Sequence, residues 1–358
     1  MNQKLTAILG LLLALSLVSC ATAQETTTPD TTTPDQTQTE TPTPDPSPDQ
    51  PTTPEGDPIE VLMLTGPTGM GAAKLMTDAQ EGTTAQNYNF TTVDANDQVS
   101  AMLISGEADI AAISTSVAAT LYNKGQEIQI LAVNTLGVLY LLEKGGEEIQ
   151  SLADLRGKTI WTTGQGANPE YILNHLLVES GLTPQTDVTI EYMTAQEVAT
   201  KMATEDKGIA MLPVPASTAL LLADDGVREA IDLSAEWTKF TETELPMGAV
   251  VARTEFIEEH PEEVELFLEE YKDSIAYMAN PQHLSALEGE ENPAEMVANF
   301  SITPSVAVAT KALPKANITY REGAAMQSSL QLYFGILYNA NPDSIGGGLP
   351  YDDFYYGG

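Results

Sequence analysis

A single cysteine, Cys20, stands in 358 residues, so no disulfide can form within the chain. Histidine is almost as scarce: His175, His260 and His283 lie far apart, and none has the spacing of a metal site. The chain has no G-x-S-x-G elbow for a nucleophilic serine, and neither the dinucleotide nor the P-loop glycine fingerprint. Positive charge is short as well. Fifteen Lys and Arg face 51 Asp and Glu, a net charge of −36. That balance disfavours nucleic acid and anionic headgroups as partners and favours solubility and basic partners. The N-terminal apolar stretch, Ala7 to about Leu15, is too short to span a bilayer stably.

What the N-terminus does hold is organised. Lys4 supplies a positive charge, the apolar stretch follows, and Leu17, Val18, Ser19 and Cys20 close the segment. This resembles the bacterial lipoprotein signal, whose final cysteine becomes the lipidated N-terminus. Residues 1–20 are therefore expected to be a signal peptide, with Cys20 as the membrane anchor on the extracytoplasmic face. Residues 21–58 are dominated by Thr, Pro and Asp and hold no large apolar side chain. Such a segment cannot offset its ordering entropy, so a disordered, extended spacer is expected.

From Ile59 onward the pattern alternates. Apolar runs at 59–64, 87–93, 109–113 and 128–133 read as strands, with helical stretches at about 70–79, from a cap at Asp94 or Asn96, and from Ser114. The pattern resumes with strands at 138–142, 158–161, 188–192 and 209–212, and helices at 168–180, 195–204 and 216–223. A further strand at 247–252 precedes helices opening at Pro261, near Thr303 and Pro304, and over 320–339. Strands separated by helices predict parallel βαβ units. The stretch 151–170, SLADLRGKTIWTTGQGANPE, is the most informative. A strand hands over to a helix through a small-residue loop, with Asn168 as N-cap and Pro169 at the first helical position. Such a loop offers backbone N–H groups and hydroxyls, and its glycines permit close approach.

That stretch, continued through YILNHLLVESGL, is similar to the second-lobe opening of type II periplasmic substrate-binding proteins of ABC importers. The nitrate, sulfonate, taurine and thiamine-pyrimidine-precursor binders belong to this group. ISGEADIAAIS (104–114), VVARTEFIEEHPEEVELFLEEY (250–271) and GLPYDDFYY (348–356) extend the resemblance over nearly all of the chain after the spacer. The resemblance implies an α/β, two-lobed fold with two crossover strands and a ligand cleft between the lobes. The lobes would comprise residues 59–136 with 247–358, and residues 137–246, with crossings at 135–137 and 244–246. Implied cleft positions are Gly66, Pro67 and Thr68; Ser114, Thr115 and Ser116; Thr163, Gly164, Gln165 and Gly166; and Pro213, Pro215 and Met247. Open α/β sheets place ligands at this same end, outside the carboxyl ends of the strands. Tyr140 is a further candidate, as ring or hydroxyl, and Lys74 a candidate cation.

The resemblance implies a monomeric, lipid-anchored protein that captures a small organic solute and passes it to an ABC transporter permease, with no cofactor. Sulfonates, nitrate-like anions and aminopyrimidines are the implied solute classes. The candidate loops contain no Lys or Arg, so an anion would rest on N–H groups and hydroxyls alone, which favours a neutral or weakly charged solute. An enzyme of the same fold, or a sensory ectodomain presenting its ligand, are the alternatives. The pyrimidine-synthesising enzymes of this superfamily use a cysteine-rich motif that Cys20 alone cannot supply. The carboxylates between Glu255 and Glu270 read as a solvated helix face, the methionines as core, and the aromatic tail Phe354, Tyr355 and Tyr356 as packing.

Overall fold

The computed structural model describes residues 56–146, 148–285 and 292–357. The expected signal segment with Cys20, and the spacer up to residue 55, lie outside the described residues. In chain order the strands are β1 (Ile59–Leu64), β2 (Tyr88–Val93), β3 (Ile110–Ser114), β4 (Ile128–Thr135), β5 (Leu139–Lys144) and β6 (Thr159–Thr162). They continue as β7 (Thr189–Tyr192), β8 (Gly208–Pro213), β9 (Val227–Asp232), β10 (Gly248–Arg253) and β11 (Ile318–Arg321). Two sheets result, one in the order β11-β4-β10-β3-β1-β2 and one in the order β7-β6-β8-β5-β9. The chain leaves the first sheet after β4, builds the second, and returns with β10. The α/β architecture with two sheets is the one the sequence predicts.

Neither sheet is purely parallel. β1 runs parallel to β2 and β3, and β6 parallel to β7 and β8. The strands that enter each sheet from the other are antiparallel to both neighbours, and the edge strand β11 is antiparallel to β4. β10 slots between β3 and β4, and β5 between β8 and β9. Both are buried on both faces over all but their last residue, as a central strand is. Val250 lies opposite Ala112 on one side and Ala132 on the other.

Three elements differ from the sequence reading. The helix expected at 70–79 is split into Pro67–Met70 and Ala73–Glu81. The break is satisfied by Ser274, whose Oγ donates to Gly71 O at 2.7 Å and accepts from Leu75 N at 3.0 Å. A distant helix, Pro261–Met278, thus repairs a local discontinuity. Tyr320 falls in the edge strand β11, and the last long helix begins at Gly323. The third difference is β9 and the following helix Leu233–Thr241, whose charged sequence carries no apolar run. β9 is held by pairing with β5 and by an Arg228–Glu143 ion pair. Asp232 caps the helix by accepting from Ser234 N at 2.8 Å.

Helix Pro261–Met278 buries Val264, Phe267, Leu268, Tyr271, Ile275 and Met278, the spacing of one helical face. Of the carboxylates expected on a solvated face, Glu262 and Glu269 of this helix and Glu258 and Glu259 of the preceding helix Thr254–Glu259 are exposed, whereas Glu263 and Glu270 are half-buried. Phe354 of the tail is fully buried, with its ring 4.9 Å from Tyr122 and 6.4 Å from Phe334. No helix among the described residues is long and apolar enough to cross a membrane.

Candidate functional site

A cavity of about 920 Å³ opens where the carboxyl ends of strands from the two sheets face each other. On the side of the first sheet it is lined by Thr65, Gly66 and Pro67 after β1, by Asp94 after β2, and by residues 301–304. Thr163 after β6, Pro213 to Ala216 after β8, and two helices form the other wall. Its volume falls within the range of small-molecule sites. Gly66 has φ of +85°, a conformation that glycine adopts without strain. A Cβ built there would lie 3.8 Å from Cδ of Pro215, so the two walls nearly touch at this point. Gly66 N donates to Ile302 O at 3.2 Å, which ties the two loops of the first wall together.

The helices lining the second wall are Ala195–Thr204 and Ala216–Ala223. The first presents Ala195, Ala199 and Ala203 to the cavity, the second Ala216, Ala219 and Ala223. Alanines at these positions leave room, and Gln196 and Leu220 are the larger side chains of these helices that line the cavity among the described residues. Thr194 caps the first helix, accepting from Glu197 N, while Glu197 reaches back to Thr194 N at 2.8 Å, a capping box.

Of the residues singled out from the sequence, Gly66, Pro67, Thr163, Pro213 and Pro215 line the cavity. Thr115, Ser116 and Met247 are gathered elsewhere, around the buried amide of Asn168. Asn168 Nδ2 donates to Met247 O at 2.8 Å and to Thr115 Oγ1 at 3.1 Å. Its Oδ1 accepts from Tyr333 Oη at 2.9 Å and from Ser116 N at 3.3 Å. Thr115 is fully buried, and its hydroxyl donates to Pro246 O at 2.8 Å. Asn168 is also not the N-cap. Ala167 takes that position and Asn168 is the first helical residue of Asn168–Glu179, because its side chain is engaged across the molecule.

Ser114 is held by Asn96, whose Oδ1 accepts from Ser114 N at 3.0 Å. Thr68 is buried, and its carbonyl accepts from Asn134 Nδ2 at 3.0 Å. Tyr140 is buried beneath Lys315, whose Nζ stands 5.2 Å from its ring. Burial, then Asp232 and Glu229, push the Tyr140 hydroxyl far up, so it stays neutral. In the loop 163–166, Gln165 and Gly166 are exposed, and Gly166 N donates to Glu170 Oε2 at 2.6 Å. Gly164, with φ of +79°, backs onto the ring of Pro169. Lys74 is paired with Asp78. The sequence reading weighed Asp94 only as a helix cap, although it directly follows a strand, which is the signal that selected the other loops. The loop 301–304 carried no such signal.

The residues from 140 to 283 match the family model described as NMT1/THI5 like. No curated protein matches the sequence. Among solved structures, an ABC transporter protein from Parabacteroides distasonis superposes with a TM-score of 0.67 at 21% identity, covering 83% of this chain and 98% of that one. The periplasmic aliphatic sulphonate binding protein SsuA from Escherichia coli gives 0.65 at 17% identity, covering 83% and 94%. The periplasmic nitrate-binding protein NrtA from Synechocystis PCC 6803 gives 0.57 at 11% identity, covering 82% and 85%. Residues 140–283 thus match the NMT1/THI5 like model, and the described chain has the fold of the substrate-binding proteins of ABC transporters, the group its sequence resembles.

Proposed function

We propose that this chain is an extracytoplasmic solute-binding protein, anchored to the membrane through Cys20, which captures a small organic solute and delivers it to an ABC transporter permease. The observation that carries this reading is the cavity of about 920 Å³. It lies at the carboxyl ends of strands from both sheets, where open α/β folds place ligands. Residues 59–136 with 247–358, and 137–246, act as two lobes that close on the solute. The crossings between the sheets serve as the hinge. Two of the similar proteins are named for sulphonate and nitrate. In this chain no Lys, Arg or His lines the cavity among the described residues, which argues against a small inorganic anion.

Thermal unfolding of the full chain against a panel of sulfonates, nitrate, aminopyrimidines, amines and neutral organic solutes tests the reading. A true ligand at 100 times its dissociation constant stabilises by about 2.7 kcal/mol. A binder returns the solute unchanged at equilibrium, whereas a catalyst of the same fold returns it altered. Replacing Cys20 with Ala is expected to abolish partition into the detergent phase while leaving solute affinity intact. Equal detergent partition of that variant would remove the anchor from the account.

A further inference from the structure

Two carboxylates line the cavity, and they are not equivalent. Asp224 is paired with Lys144 Nζ at 2.8 Å, and that lysine also donates to Met202 O at 2.6 Å. The charge of Asp224 is therefore largely offset, and the nearest cation is committed. Asp94 stands on the opposite wall with no Lys or Arg paired to it among the described residues. It is nonetheless held in place. Its Oδ1 accepts from Thr65 Oγ1 at 3.1 Å and its backbone N–H donates to Gln98 Oε1 at 3.2 Å. The cavity thus carries one negative charge, held at its solvent-exposed edge with no cation paired to it among the described residues.

Between these carboxylates the second wall is a surface of alanines from two helices, joined by Gln196 and Leu220, and no aromatic ring lines the cavity among the described residues. Apolar walls displace water from a bound solute, so a charge on that solute needs a partner from the protein. An anion would find no cation, only the hydroxyls of Thr65, Thr163, Ser301 and Thr303 and the amide of Gln196, and would face Asp94. A cation finds Asp94, and the chain's net charge of −36 adds a field that attracts cations and repels anions. A neutral aromatic would find no ring on which to stack.

We infer that the solute is a small organic cation with a compact aliphatic body, an alkylamine or alkylammonium. Its positive nitrogen faces Asp94 and its hydrocarbon lies on the alanine faces of Ala195–Thr204 and Ala216–Ala223. This deepens the solute-binding reading and rests on it.

Three probes with one hydrocarbon body separate the classes: cyclohexyltrimethylammonium, cyclohexanol and cyclohexanesulfonate, each titrated calorimetrically into the full chain. The ammonium is expected to bind at least about tenfold more tightly than the sulfonate, and to weaken as ionic strength rises. Replacing Asp94 with Asn, which keeps an acceptor for Thr65, should lower ammonium affinity about tenfold and leave cyclohexanol unchanged. Asp224→Asn should have a smaller effect. Asp97→Asn, one turn away on an exposed surface, should have none. Sulfonate binding equal to or tighter than ammonium, or ammonium binding indifferent to Asp94→Asn, overturns the cation assignment while leaving the chain a binder. If no solute of any charge binds, in these titrations or in the unfolding panel, the solute-binding reading falls with it.

Discussion

The amide of Asn168 makes four hydrogen bonds to residues 52 to 165 positions away. Removing it leaves Ser116 N and the Tyr333 hydroxyl short of a partner in a buried place, while Met247 O keeps the bond it accepts from Thr115 N. Asn168→Ala is therefore expected to destabilise the fold by about 2–4 kcal/mol in urea denaturation, since each orphaned buried group costs about 1–3 kcal/mol. The sequence marked this residue as a helix start but could not reveal its partners, which only the tertiary fold brings near. His175 makes a second residue-scale case. It is half-buried against Trp237, with ring centroids 5.2 Å apart, and burial lowers its pKa from 6.5 despite Glu179. The folded chain then binds a proton less readily than the unfolded one. Stability is fully present above pH 6.5 and declines as pH falls below it. Denaturation at pH 8 and pH 5.5 should show a smaller loss in His175→Phe than in the native chain. An equal loss would place the acid sensitivity elsewhere.

Among the elements, the strands with continuous apolar runs, such as β1, β3 and β10, were readable because burial on both faces leaves a run of Ile, Val, Ala and Leu. β9 and β11 were not, because they are half-buried strands with charged or polar residues, and their pairing partners set their conformation. Candidate cleft loops were found by their position after strands, and that rule yields both cavity-lining loops and the Asn168 cluster. Nothing local separates the two. The elements near the crossings are also linked by charge. Lys315 Nζ lies 2.5 Å from Glu229 in β9, Arg321 in β11 lies 3.3 Å from Glu244, and Asn317 donates to Gly137 O. Exposed pairs of this kind contribute about 0.2–1 kcal/mol each. Lys315→Ala should therefore favour separation of the lobes and raise the solute dissociation constant by at most about fivefold in calorimetry. A larger loss would mean that Lys315 touches the solute.

For the whole molecule, the account requires two lobes that enclose a solute in the cavity between them. Small-angle scattering of the full chain should show a smaller radius of gyration with saturating solute than without it. An unchanged radius would indicate a cleft that stays as it is on binding. The most direct measurement fills the cavity from within. Ala219 lies on its second wall and is partly exposed, so a larger side chain there can occupy the space without disturbing the core. Solute titration into Ala219→Trp should show affinity reduced at least about a hundredfold with an unchanged unfolding temperature. Native-like affinity in a folded Ala219→Trp would contradict the account, because the solute would then bind somewhere other than this cavity.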